Sequence, residues 1–423
     1  MQGNKLNNQT DKSPDVTILG AGIIGVTCAL ELLEQGLSVT VVDRLSPGEA
    51  TSYGNAGSIS PWSVVPLATP GVWKSVPRWL LDPQGPVKVR WRDLPEILPW
   101  VAGFLRNSTM DRVTRISDGL SLMMRDNVSL YRRHLHGTGA EDLITDAMLV
   151  TAYRGAAKPS LDDLGYRLRI ERGAKVEIIG AHDLRDLEPA ISHEYHSAGL
   201  VKEQGRTRDP GRLCKVLGAK AEQMGAVFVS AEVRRLQPQD DGSTIMETTT
   251  DPIYAQKLVL AAGVWSADLL RPLGFKLPLI AERGYHLEFM EPGITLNNSV
   301  QDVDAKVILS TMDNGLRVAG TAEFAHIDAP PNYRRAERLA PLSRRLLPDL
   351  QTEPKRRWMG IRPSFPDNLP AIGAFRSAPG IIAAFGHNHH GLGMAPVTAR
   401  MVAAEVAGTP GNEDVSALSP DRF

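Results

Sequence analysis

The 423-residue chain has only two cysteines, Cys28 and Cys214, too few for a disulfide framework. Cys28 lies in an apolar segment where a small thiol packs well, and this usage reads as a reducing, cytoplasmic setting. Neither sign of charge is in excess. With 47 basic side chains against 48 acidic ones, the molecule as a whole gives a nucleic-acid backbone no electrostatic reason to bind. No run of about 18 apolar residues occurs, which excludes a membrane-spanning helix. Residues 1–14 lack the apolar centre of a secretory signal and are expected to be a disordered lead-in. Repeats and low-complexity stretches are also missing. What remains is an ordinary globular composition, long enough for two or three domains.

Against that background, residues 16–43 carry an organised signal. An apolar strand at 16–19 runs into Gly20-Ala21-Gly22-Ile23-Ile24-Gly25, then an apolar-periodic helix to about Gln35, then a strand at 37–43 ending on Asp43. Gly20 permits the tight turn, Gly22 lets backbone approach a pyrophosphate, and Gly25 lets helix and strand pack closely. The helix N-terminus at Ile23 and Ile24 offers amides and a positive dipole to phosphates. Asp43 can accept hydrogen bonds from an adenosine ribose, with Arg44 beside it. The unit is expected to bind a dinucleotide. FAD and NAD share this phosphate geometry, so the unit does not choose between them.

Later segments bear on that choice. Residues 48–58 include Thr51, Ser52, Asn55, Ala56, Gly57 and Ser58, small or hydroxyl-bearing residues that let backbone amides reach a planar ligand. Residues 257–266 read as an apolar strand ending in Ala261-Ala262-Gly263, just before Trp265. The C-terminal part gives Gly360-Ile361-Arg362-Pro363. A strand at 381–385 then runs into Gly386-His387-Asn388-His389-His390-Gly391-Leu392-Gly393-Met394 and a helix rich in alanine and valine. Together and in this order, over about residues 15–410, these segments resemble the family of FAD-dependent amino-acid oxidases and dehydrogenases. That family includes D-amino-acid oxidase, glycine oxidase, sarcosine oxidase and bacterial D-amino-acid dehydrogenase. The dehydrogenase branch is nearest in residues 53–61 and the Trp-rich segment after them, whereas residues 386–391 carry more histidine than that branch.

The resemblance implies an α/β chain with FAD as cofactor. A Rossmann-like FAD-binding domain would be assembled from residues 15–65, 201–270 and 356–410. A substrate domain built on an antiparallel sheet would take 66–200 and 271–355, leaving 411–423 as a C-terminal tail. A strand at 226–229, running toward Val233, would lie by the adenine, and Arg208-Asp209-Pro210 looks like a capped helix start. Covalent flavin attachment is not expected, because no His or Cys lies between Thr51 and Pro61 and no Cys follows Cys214.

The chemistry would rest on few residues. A guanidinium grips a carboxylate with two parallel hydrogen bonds, and Arg362 stands where the family holds the substrate carboxylate; the alternative is a structural salt bridge at a strand end. Tyr285 would add a hydrogen bond, serve in a lid, or simply be a packed aromatic, with Arg283 and His286 facing water on the other side of its strand. His387, His389 and His390 have no acidic or cysteine partner nearby in sequence, so no metal site is expected. They are read as pocket walls or hydrogen-bond donors beside the flavin, where the helix opening at Gly391 would stabilise negative charge. The Trp-rich segment, with Trp62, Trp73, Trp79, Trp91 and Trp100, is read either as packing or a lid, or as a peripheral contact with the inner membrane. The expected reaction is oxidative deamination of an amino acid, foremost a D-amino acid, by hydride transfer to flavin N5, with oxygen or a quinone as final acceptor. Alternatives are oxidation of an N-substituted glycine or of a cyclic amine such as proline or hydroxyproline. From another class comes a non-catalytic flavin-binding electron-transfer subunit.

Overall fold

Val16–Leu19 is buried along its whole length, as a strand covered on both faces must be. It lies inside a six-stranded sheet ordered Ala371–Phe375, Ala378–Phe385, Leu258–Leu260, Val16–Leu19, Val39–Asp43, Val227–Ser230. Every pairing is parallel except the hairpin of the first two strands. Helices Ile23–Glu34, Pro210–Gln223 and Gly391–Ala407 cover one face through a shared apolar core. On the other face lies a three-stranded antiparallel sheet, Val233–Pro238, Thr244–Thr248 and Ile253–Ala255, with Leu236 and Met246 packed against Leu19, Val42 and Leu260. The computed structural model describes residues 14–74, 82, 85–155, 158–409 and 414–423. The expected lead-in, Pro14 excepted, and Trp79 lie outside the described residues.

Local chemistry explains how two of these helices sit. Helix Pro210–Gln223 opens with proline, whose missing N–H is not needed there, and the Asp209 carboxylate accepts from the Arg212 amide at 2.8 Å. Helix Gly391–Ala407 contains Pro396, which cannot donate to the carbonyl four residues back, at Leu392. The buried Tyr131 hydroxyl takes that carbonyl instead, at 2.7 Å, and ties helix Asn127–Leu135 to it.

The second sheet has ten strands. Its main path runs Arg356–Ser364, Ile280–Phe289, Gly315–Phe324, Val307–Met312, Ser299–Asp302, Thr145–Arg154, Tyr195–Arg206, Ser58–Ile59. Pairing is antiparallel apart from Thr145–Arg154 with Ser299–Asp302 and Val87–Val89 with Gly315–Phe324. Three expected groupings fall differently here, the first being Ser58–Ile59, which pairs with Tyr195–Arg206. Strands Arg356–Ser364 and Tyr195–Arg206 both hydrogen-bond into this sheet, so residues 356–364 and 201–206 lie outside the six-stranded sheet with which they were grouped. The expected tail is also anchored: Leu418 is buried, Arg422 Nε donates to Asp367 at 2.9 Å, and the Phe423 ring stacks on Phe365. Among the described residues no helix is long and apolar enough to cross a membrane.

Candidate functional site

The three glycines of the first turn are needed for three different reasons. Gly20 has φ +120°, and a Cβ there would stand 2.4 Å from the Ala261 carbonyl oxygen of the neighbouring strand. At Gly25 a Cβ would lie 1.8 Å from the Gly20 carbonyl oxygen, so it is the point of close helix–strand packing. A Cβ at Gly22 would meet only Ser52 Oγ, at 3.4 Å, and otherwise open space. Ser52 Oγ also accepts from the Ile23 amide at 3.0 Å. The Asp43 carboxylate accepts from the Ala21 amide at 2.6 Å and from the Leu45 amide at 2.9 Å. Each of its oxygens keeps a further lone pair for a ligand hydroxyl. Next to it the Arg44 guanidinium lies 4.5 Å over the Trp265 ring.

A second group converges from the other sheet. Strand register sets Glu282 directly opposite Arg362, and Arg362 Nη1 donates to Glu282 at 2.7 Å while the Ser364 hydroxyl donates to the other carboxylate oxygen at 3.1 Å. The guanidinium lies over Gly284, where a Cβ would come within 2.3 Å of it. Asn388, at φ 51°, locks the histidine loop by accepting from the Phe365 amide and donating to the Phe365 carbonyl. His387 is buried and shares a 2.9 Å hydrogen bond with Thr398 Oγ1. The His389 and His390 rings lie 3.8 Å apart, and His390 Nε2 is buried without a hydrogen-bond partner among the described residues. Burial pushes His387 down to about 3, burial and the Arg362 charge do the same to His389, and His390 falls well below its usual value for similar reasons. All three imidazoles are therefore neutral at ordinary pH.

Both groups face one cavity of about 1320 Å3. That exceeds the roughly 300–1000 Å3 of a site for one small molecule and suits an extended dinucleotide plus a substrate. Of the expected residues, Gly20, Gly22, Ile23, Ile24, Asp43, Arg44, Thr51, Ser52, Asn55, Ala56, Ser58 and Val233 line it. So do Ala261, Ala262, Gly263, Trp265, Arg362, His387, Asn388, His389, His390, Gly391, Leu392 and Gly393. Gly25, Gly57, Gly386 and Met394 do not: a Cβ at Gly57 would meet the Thr207 carbonyl, one at Gly386 would meet the Phe365 ring, and Met394 is core. Tyr285 is a correction. It points away from the cavity into the second core, its hydroxyl donating to Glu323 and accepting from the Asn332 amide at 3.1 Å. Arg283 and His286, expected in water, are both buried, His286 stacked on Trp358. The tryptophans divide, with Trp100 buried and donating to the Ser364 carbonyl, and Trp73 and Trp91 55% and 63% exposed at the cavity. Glu282 and Arg169 are among the lining residues that carried no assigned role in the sequence, and nothing local marks Arg169.

Comparison with known proteins assigns the family. The model of the family described as FAD dependent oxidoreductase (DAO) matches residues 15–405. The chain belongs to that family. A D-amino-acid oxidase of Bradyrhizobium diazoefficiens is 37% identical to the oxidoreductase over 416 residues, 96% of this chain and 98% of that one. A D-amino acid dehydrogenase of Rhodopseudomonas palustris is 31% identical over 426 residues, 96% of this chain and 97% of that one. Among solved structures, glycine oxidase from Geobacillus kaustophilus matches the oxidoreductase with TM-score 0.75 at 21% identity, over 97% of this chain and 99% of that one. L-proline dehydrogenase from P. horikoshii matches with TM-score 0.76 at 18% identity, over 98% of each chain. The expected α/β fold and the FAD cofactor hold for the oxidoreductase.

Proposed function

We propose that the oxidoreductase oxidises the carbon–nitrogen bond of an amino acid, foremost a D-amino acid, by oxidative deamination, with FAD held non-covalently. The observation that carries this reading is the placing of Arg362 in the same cavity as Gly20 and Gly22, with its Nη1 held by Glu282 and its guanidinium lying over Gly284. Bound FAD supplies a hydride acceptor. The open space at Gly22 and the amide at Ile24 would receive the pyrophosphate, with the Ile23 amide already held by Ser52 Oγ, and Asp43 would take the ribose. Arg362 grips the substrate carboxylate and so fixes which way the α-carbon points. Glu282 holds that guanidinium in plane. His390 Nε2 offers the ligand a hydrogen bond that the protein itself leaves unmade. The 37% identity to a protein named D-amino-acid oxidase supports the substrate class.

At the cavity mouth Leu67, Trp73, Trp91, Leu98 and Leu105 are exposed. Such a rim supports reading the final acceptor as a lipid-soluble quinone and the location as peripheral at the inner membrane. The test of the main reading is anaerobic bleaching of the flavin by D- and L-amino acids, N-alkylglycines, prolines and simple amines. D-amino acids should bleach it fastest. Equal bleaching by amines that lack a carboxylate would sink the proposal.

A further inference from the structure

Among the described residues, the cavity wall beyond the dinucleotide end carries the partly buried guanidinium groups of Arg362 and Arg169, and only the first has a counter-ion. Arg362 pairs with Glu282 at 2.7 Å. Arg169, on helix Leu164–Ile170, donates Nε to the Trp62 carbonyl at 3.2 Å and Nη1 to the Gly165 carbonyl at 2.9 Å. Those neutral oxygens fix its plane without cancelling its charge. It forms no ion pair among the described residues, and burial works against its charged form. A guanidinium does not shed its proton in a protein, so the cost of that charge stands until an anion arrives. Arg169, Arg362, Glu282 and His390 all line the same cavity, and the charges of the first three reach His390. The histidines there are neutral, and Lys306 at the rim is exposed to water. Among the described residues, the formal charge that Arg169, Arg362 and Glu282 bring here is therefore two guanidiniums less one carboxylate, a net single positive charge.

We propose that Arg169 supplies the counter-charge for the substrate's carboxylate while Arg362 orients it, and that this end thereby selects amino acids with uncharged side chains. The inference rests on the amino-acid reading above. An amino acid whose amine is neutral, the form able to give up a hydride, carries one negative charge and brings the site to zero. An acidic side chain leaves one negative charge in excess beside Glu282, and a basic one leaves a positive charge uncompensated. Each mismatch should lower the efficiency of flavin reduction by about tenfold or more.

The test uses the FAD-loaded protein and two non-reacting probes, benzoate and its uncharged counterpart benzamide, titrated by their effect on the flavin absorbance. Arg169→Gln should weaken benzoate by about thirtyfold or more and leave benzamide within about twofold, while Arg169→Lys recovers most of the benzoate affinity. With the positive charge gone, the preference among substrates should move toward basic amino acids. Glu282→Gln adds one net positive charge and should move it toward acidic ones, which keeps the inference testable if Arg169→Gln does not fold. Unchanged benzoate binding in a flavin-replete Arg169→Gln, or an unchanged order of charged substrates in both variants, overturns the proposal. If benzoate binding depends on Arg169 but no amino acid bleaches the parent flavin, the anion site stands and the amino-acid reading falls. If amino acids bleach it regardless of Arg169, the reverse holds.

Discussion

Removing Arg362 should have two separable consequences. Arg362→Ala strips Glu282 of its partner, and the Glu282 side chain is only 5% exposed, with the Ser364 hydroxyl its remaining donor. Breaking a buried pair from one side costs about 3–5 kcal/mol, much of it the penalty of a stranded carboxylate. The variant should therefore unfold at lower denaturant than the parent and bind substrate poorly, which on its own does not separate a salt-bridge partner from a carboxylate clamp. Arg362→Met combined with Glu282→Gln removes both charges together. Replacing both members of such a pair is often neutral, so stability should return to near the parent value. The oriented fork is still missing. Loss of two charge-assisted hydrogen bonds and of the alignment they give should cost about 3 kcal/mol, or roughly a hundredfold in the limiting rate of flavin reduction. Arg362→Lys should fall between, since it keeps charge without the planar fork. Denaturant unfolding and rapid-mixing reduction under nitrogen measure the two effects separately. A double variant that reduces flavin at the parent rate would refute the clamp and leave Arg362 as a partner for Glu282 alone.

The first-turn glycines should separate cofactor binding from folding. Gly22→Val, at a position with open space, should keep the fold but lower FAD content at least tenfold, whereas Gly25→Val, 1.8 Å from a backbone oxygen, should fail to accumulate folded; a fully yellow Gly22→Val would place the pyrophosphate elsewhere. His387 should make stability depend on pH: its folded value near 3 lies below the unfolded value of about 6.5, so the unfolded chain binds more protons between them. Its contribution is then complete above about pH 6.5 and is lost as pH falls, and His387→Gln should flatten unfolding free energy against pH in that window; a slope identical to the parent's would show that His387 does not titrate there. Acid precipitation should leave intact FAD in the supernatant and colourless polypeptide, and flavin remaining with the chain would show a covalent link.

The first strand–turn–helix–strand unit was legible because its information is local. Three glycines and Asp43 fall within one short stretch, and each glycine's function follows from its own backbone geometry. The Asp209–Pro210 helix start was legible for the same reason: cap and proline are neighbours. Strand Arg356–Ser364 was readable as a strand but not as a member of the second sheet, since its partner Ile280–Phe289 lies far off in sequence. That pairing decides which side chains meet. On Ile280–Phe289, Glu282 and Gly284 line the cavity, and alternation then turns Tyr285 toward the opposite core. Sequence alone offered Tyr285 three uses; the sheet left one. Arg169 shows the limit most plainly. Nothing in the residues around it marks a site, and its standing as a charge without a counter-ion depends on which acids the folded chain brings near and which it keeps away. Sequence by itself determined the first strand–turn–helix–strand unit and the fold class, because backbone conformation and nearest-neighbour spacing suffice for them. Tertiary structure alone decided the charge balance around Arg169, Arg362 and Glu282, because Coulomb energies depend on distance in space and on burial, and neither is written in residue order.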